Sequence, residues 1–535
     1  MRALPLVLSL VAGLVGPASA PAQPAPLPAG VGQILRQAQL PPEALAVWIQ
    51  ELGAGSPRLA WQADQAMNPA SLMKLGTTLA ALEMLGPAWT WQTPVWLQGR
   101  LRPETGVLEG DLVIKGVGDP KLVRERLWLL LQRVRAQGVR EIRGHILLDN
   151  SGFAPSPLTP ADFDGEPWRP GNVQPEALLL NYKSQTLSFR PDPARGLAWI
   201  ASDVPLPAPA SVPLQKDGAC GDWRGALRLQ WQAGQPLGFA GSYPASCGEL
   251  SWPLADTDPA SYNARLIAAM WREMGGGLLG EVRAGVAPAT PPSFSFASPP
   301  LAEVVRDINK YSANLMSEML WLSLAGGTPA AAQERLRLWL SARLGDSAFV
   351  LENGSGLSRE QRLSARQLGR LLQLAHASPV MPEFMASLPV AGADGTLTRG
   401  GAARFGAAAG RAHLKTGSLR DVVALGGYVL ADSGRRYVLV ALINHPRASA
   451  ARGALDALLQ WTVQDLDRRA PDQKGLLTAR LTAIEPRRDW PAGLIKVLVA
   501  HSQVSPLALV TRVLVLHSGA GAVARQAASV TLAKP

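Results

Sequence analysis

Three short polar motifs, far apart and in fixed order, constrain this chain more than any other feature. They are Ser71-Leu72-Met73-Lys74, Ser312-Ala313-Asn314 and Lys415-Thr416-Gly417. Ser71 and Ser312 lie 241 positions apart. Any fold that uses all three motifs in one site must return the chain to the same place twice. Singly, each has an ordinary reading: a helix-capping serine with a solvated lysine, a serine at a helix break, and a lysine entering a strand. Their ordered conjunction is what points to chemistry.

The spacing of the first pair is physical. The run from Ser71 continues through Leu75, Leu79, Leu82 and Leu85 with helical period and stops at Gly86-Pro87. Positions i and i+3 share a helix face, so Lys74 lies one turn from Ser71. A serine hydroxyl is a weak nucleophile until a neighbouring base takes its proton. A lysine with its usual pKa of about 10.4 is not that base at neutral pH. Burial against apolar residues and a nearby positive charge, for which Lys415 is the candidate, would both lower it.

The second motif falls between two apolar helical stretches, Leu301 to Ile308 and Leu315 to Leu320, so Ser312 is expected at a break between helices. There its hydroxyl could pass a proton, while Asn314 offers a donor and an acceptor to a substrate amide. The third motif precedes two β-patterned runs, Val422 to Leu430 and Arg436 to Ile443, joined through Asp432-Ser433-Gly434 as a hairpin. Lys415 is then expected on an edge strand, with Gly417 admitting a close backbone approach by a ligand. A lysine and a threonine hydroxyl at a strand edge suit the terminal carboxylate of an extended peptide bound by strand addition.

With these residues in place, the chain resembles the low-molecular-mass penicillin-binding proteins of the D-alanyl-D-alanine carboxypeptidase/endopeptidase type. The long gap between the first two motifs is part of that resemblance. So are the stretches Gly110 to Pro120, Asn353-Gly354-Ser355-Gly356-Leu357-Ser358-Arg359 and Gly392-Ala393-Asp394-Gly395-Thr396-Leu397. It covers roughly residues 30 to 465. Ala313 is a departure, since many relatives carry Asp or Asn there.

The resemblance implies an α/β (α+β) penicillin-binding/β-lactamase-like transpeptidase fold: an antiparallel sheet flanked by helices, with a long inserted accessory region of mainly β domains. Within it, a discontinuous catalytic domain is expected at 21–86 plus 288–465 and an insertion at 87–287; the residues themselves add a signal peptide at 1–20 and, where the resemblance ends, a basic extension at 466–535. The resemblance also implies roles. Ser71 would attack the carbonyl of the penultimate D-alanine, Lys74 would accept the serine proton, and Ser312 would relay a proton to the departing amine. Asn314 would hold the substrate amide, and Lys415 and Thr416 the terminal carboxylate. The backbone N–H groups of Ser71 and Ser418 would form the oxyanion hole. The expected partners are peptidoglycan stem peptides, with β-lactam antibiotics as covalent inhibitors, and no nucleic acid or cofactor. A serine β-lactamase, with Glu352 as its candidate deacylating carboxylate, and a non-catalytic cell-wall peptide or penicillin sensor are the competing functions.

The 535 residues are enough for several domains. Arg2, the apolar run Leu4 to Val15 and Ala18-Ser19-Ala20 read as a secretory leader, followed by a proline-rich linker from Pro21 to Pro28. The expectation is an exported, periplasmic protein, soluble or loosely membrane-associated. In an oxidising compartment the only two cysteines, Cys220 and Cys247, are expected to pair, contributing about 3 kcal/mol on loop-closure grounds. The six histidines are scattered without metal-ligand spacing, so no metal is expected. The tail from Leu466 carries ten Lys/Arg against four Asp/Glu. Its apolar runs, Leu494 to Ala500 and Leu507 to Leu516, fit strands or interfacial helices, and its charge fits either an anionic surface or a solvated extension.

Overall fold

The computed structural model describes residues 26–465 and, beyond them, the backbone of four strands: Thr482–Ile484, Leu494–Gln503, Leu509–His517 and Arg525–Ser529. The leader expected at 1–20 lies outside the described residues. The four late strands pair antiparallel in chain order, and residues 464–535 make a unit distinct from the rest.

The region that carries the three motifs is organised by one five-stranded antiparallel sheet. Its order is Ala412–Leu419, Val422–Leu430, Arg436–Asn444, Leu45–Glu51 and Leu59–Trp61. The hairpin expected around Ser433-Gly434 forms, with Leu430 opposite Arg436. Its strands are apolar along their whole length because both faces are covered. Successive side chains alternate between two cores. Trp48, Val438, Val440 and Leu442 face one side, packing with Leu75, Leu79, Leu82, Ile308, Met319 and Leu371. Val47, Ile49, Leu439, Ala441 and Ile443 face the other, against Leu35, Leu455, Leu458 and Val463.

The insertion folds into two smaller bodies. A seven-stranded mixed sheet runs from Gln92–Arg102 to Phe294–Ala297, with the helices Arg124–Ala136 and Tyr262–Glu273 sharing its core. The Phe294–Ala297 strand pairs antiparallel with residues 92–95, so this sheet runs past the boundary expected at 287. The second body is a five-stranded sheet over residues 184–255, built around Leu187, Phe189, Tyr243 and Leu254. Cys220 and Cys247 are joined there as a disulfide.

The position of Ser71 depends on a tight turn. Ser71 sits in a 3-10 turn, Ala70–Leu72, that begins with Ala70 at φ 46° and runs into the helix Met73–Leu85. Such a φ is costly for a residue with a Cβ and persists only where neighbours enforce it. Asn68 is one enforcer: its Oδ1 accepts from Ala70 N–H (2.8 Å), its Nδ2 donates to Ser358 C=O (2.8 Å), and its own N–H donates to Asn444 Oδ1 (2.7 Å). Gly356, at φ 80°, is another; a Cβ there would fall 2.0 Å from Ala70 O.

Two outcomes follow from this packing. Gly356→Ala combines a strained φ with backbone overlap, so it should destabilise the protein by about 2 kcal/mol or more and displace Ser71. Urea denaturation measures the first effect and a crystal structure of the variant the second. Replacing Cys220 and Cys247 by Ser should cost about 3 kcal/mol in urea denaturation.

Candidate active site

Lys74 is fully buried, and its Nζ donates to three acceptors: Ser71 Oγ (3.0 Å), Asn314 Oδ1 (2.7 Å) and Ser355 C=O (2.6 Å). The helix brings the first, as the i, i+3 spacing predicts. Asn314 opens the helix Asn314–Ser323, which packs on the nucleophile helix. Ser355 comes from the loop Asn353-Gly-Ser-Gly, where Asn353 Oδ1 accepts from the N–H groups of Ser355 and Gly356. An ammonium has three donors and is saturated by this set. A neutral amine would give its two hydrogens to Asn314 and Ser355 and turn its lone pair to Ser71. Burial pulls the Lys74 pKa down to about 7, and the neighbouring Glu318 carboxylate opposes that shift.

The sequence motivated a depressed Lys74 with two causes, and burial is the larger of them. Repulsion between two charged lysines is mutual; Lys415 is also fully buried and is held well below its ordinary value, by burial first and the Lys74 charge second. Lys415 Nζ donates to Ser312 Oγ (2.7 Å) and Thr416 C=O (2.7 Å). Ser312 lies at the expected helix break, ending Leu301–Tyr311 with φ 57°. The two lysines thus each hold one serine hydroxyl.

Lys415, Thr416, Gly417 and Ser418 occupy the edge strand, as the pattern predicts. Its first half is covered on the outside: Ala391 N–H donates to Ala412 C=O and Leu414 N–H to Pro389 C=O. Because backbone direction repeats every second residue, the N–H and C=O groups of Thr416 and Ser418 point to that same outer edge. A strand-like ligand could continue the pairing there. Gly417 serves a different purpose from the expected one. A Cβ on it would meet Pro69 O at 3.0 Å and Ala70 Cβ at 3.2 Å, so the space it leaves is filled by the nucleophile turn of the same chain. The Thr416 hydroxyl bonds Thr396 (2.9 Å). Asn314 uses its oxygen on Lys74, leaving Nδ2 as the group available to a ligand carbonyl.

Sequence reasoning missed Ser355, Thr396, Lys310 and Glu318. Lys310 Nζ donates to Leu388 C=O (2.7 Å) and pairs with Asp394 (2.5 Å), tying the helix end before Ser312 to the segment that carries Thr396. Ser355, Asp394 and Thr396 lie in glycine-rich stretches already singled out, and dense glycine signals close backbone approach. Glu318 was legible as a carboxylate inside an apolar helix, four residues after Asn314. The Ser355 hydroxyl donates to its Oε1 (2.7 Å), and burial raises its pKa against the pull of Ser355 and Lys74. Glu352, the carboxylate of the lactamase alternative, accepts from the Ser358 hydroxyl. Glu318 and Glu352 line one cavity of about 380 Å³, together with Phe163 and Arg359. His413 is half-buried on the edge strand with its pKa lowered, first by burial.

Comparison with known proteins gives the family and the fold. A D-alanyl-D-alanine carboxypeptidase of Actinomadura sp. (strain R39) is 27% identical over 472 residues, covering 83% of this chain and 85% of the relative. The D-alanyl-D-alanine carboxypeptidase DacB of Haemophilus influenzae is 25% identical over 412 residues, covering 71% of this chain and 80% of the relative. The crystal structure of penicillin binding protein 4 (dacB) from Haemophilus influenzae superimposes with a TM-score of 0.63 at 20% identity, over 80% of this chain and 99% of that one. That likeness carries the fold, a penicillin-binding-protein architecture of sheet, flanking helices and long insertion. Residues 27–464 match the D-Ala-D-Ala carboxypeptidase 3 (S13) family, and with most of its length inside that match the chain belongs to this family of serine peptidases.

Proposed function

We propose that this protein is a serine-type D-Ala-D-Ala carboxypeptidase, and also a D,D-endopeptidase, acting on peptidoglycan stem peptides through an acyl-enzyme on Ser71. The observation that carries the reading is the burial of Lys74 against Ser71 Oγ, which supplies a base of suitable strength at neutral pH. Family membership supports the substrate class.

The steps follow from the contacts. Neutral Lys74 takes the Ser71 proton as Oγ adds to the carbonyl of the penultimate D-alanine. The resulting oxyanion is met by the N–H of Ser71, at the start of its helix, and by the outward N–H of Ser418. The Ser312 hydroxyl, held by Lys415, relays a proton to the departing amine: it gives up its own and is replenished by the one Lys74 took from Ser71, so Lys74 is again a free amine and Ser312 again a hydroxyl. Asn314 Nδ2 holds the stem-peptide amide, and Lys415 with Thr416 receives the terminal carboxylate. Water then cleaves the ester and frees the shortened peptide. A penicillin enters the same steps, but its opened ring stays attached to Ser71.

The same reading places the protein outside the cytoplasm. The leader-like first twenty residues and the Cys220–Cys247 disulfide support export to the periplasm. Among the described residues no helix is long and apolar enough to cross a membrane. The basic tail is the candidate for any peripheral contact with membrane or cell wall.

Intact-mass analysis with a penicillin tests the nucleophile. The wild type should gain one long-lived adduct and Ser71→Ala none. Rapid clearance with penicillin turnover would instead favour a β-lactamase, and no adduct at all would favour a binding module. Lys74 adds a pH test. With a base titrating at about 7, the acylation rate should fall about tenfold per pH unit below that value and level off above it. Stopped-flow labelling from pH 5 to 9 measures the profile, and a limb centred above pH 9 would contradict the assignment.

A further inference from the structure

Lys74 must alternate between amine and ammonium inside a fully buried site, yet none of its three direct contacts is a charge. The carboxylate acting on it is Glu318, one residue removed. The connection is well defined. Ser355 has a single hydroxyl hydrogen and two oxygens within reach, Glu318 Oε1 at 2.7 Å and Asn353 Oδ1 at 3.2 Å. Asn353 Oδ1 already accepts two backbone N–H groups, and Ser355 Oγ itself accepts from Leu357 N–H. The hydrogen therefore goes to Glu318. The carbonyl of that same Ser355 accepts from Lys74 Nζ, and Glu318 lies one helical turn beyond Asn314, the other amine acceptor. One carboxylate thus stands behind both groups that orient the amine.

We propose that Glu318 is a positioning residue for the acyl-transfer reaction: through Ser355 and along the Asn314 helix it fixes the orientation of Lys74, and its charge supports the ammonium formed when Lys74 takes the Ser71 proton. The inference rests on the function proposed above and deepens it. As Lys74 becomes an ammonium it repels any charge carried by the buried Lys415, so proton uptake is opposed from the strand side whenever Lys415 is protonated. An ionised Glu318 offsets that opposition from the helix side. Other ionisable groups face Glu318 across its cavity: Glu352, Arg359 and Glu360 from the loop, and Asp162 from the insertion. Of these, Glu352 is engaged by the Ser358 hydroxyl, and the guanidinium of Arg359 lies over the Phe163 ring.

The direction of the effect is fixed by charge. Removing a negative charge beside Lys74 makes its ammonium less favourable, so the free amine persists to lower pH and is a weaker base. Glu318→Gln keeps the shape and an oxygen for Ser355 but loses the charge. Its acylation profile with a penicillin should therefore have its acid limb moved down by about one pH unit, with a lower plateau. Ser355→Ala keeps both charges but removes the donor that favours ionised Glu318. It should move the limb in the same direction by less.

The measurement is the acylation rate from pH 4.5 to 9 for the wild type and both variants of the mature protein. A limb displaced downward in both variants supports the role. Rates lowered by the same factor at every pH, with the limb unmoved, would make Glu318 a packing residue and overturn it. Should Glu318→Gln fail to fold, Ser355→Ala decides alone, since it loses only a hydroxyl. The two readings separate cleanly: a wild type that forms no adduct removes the proposed function and this inference with it. A wild type that labels normally beside variants with an unmoved limb removes this inference only.

Discussion

The burial of two lysines within one site is the constraint on which the rest of this structure depends. Taking an ammonium out of water is expensive unless it is hydrogen-bonded or gives up its proton. Lys74 has both options: three acceptors when charged, and a pKa of about 7 that lets it be neutral. Those acceptors come from three separate chain segments, around Ser71, Asn314 and Ser355. Lys415 adds the edge strand and Ser312. The convergence of remote motifs is therefore what solvates two buried amines as well as what assembles a catalytic centre.

Much of the surrounding architecture fixes backbone positions for those contacts. Gly417 and Gly356 are small so that the edge strand and the Asn353 loop can press against the turn before Ser71. The Asn68–Asn444 bonds tie that turn to the sheet. Lys310 and Asp394 lock the helix end from which Ser312 projects. The insertion contributes to the cavity beside Glu318 through Asp162, Phe163 and Asn172, which places it next to the chemistry rather than only beneath it.

What was legible in the sequence follows the range of each signal. The nucleophile helix, the break at Ser312 and the Val422–Asn444 hairpin rest on local periodicity and turn residues, and all three are present. Pairing of Leu45–Glu51 with Arg436–Asn444 was not readable, because nothing local specifies a partner almost four hundred residues away. Phe294–Ala297 was missed as an insertion strand for the same reason. Within the site, the side chains that carry a motif lie together around Lys74 and Lys415. Ser355, which meets Lys74 through a backbone carbonyl, and Glu318, one residue removed from it, belong to no such motif, and only the burial of a carboxylate in an apolar helix marks the latter. Gly417 was assigned the right property, close approach, with the wrong neighbour.

The central claim is that Lys74 is a neutral amine in a large share of molecules at neutral pH. Direct titration of its side chain tests this: the protein is labelled with 13C at lysine Cε, and the Lys74 resonance is assigned by its loss in Lys74→Arg. The account predicts a midpoint near pH 7. A midpoint near the ordinary lysine value of about 10.4 would contradict it and leave Ser71 without its base.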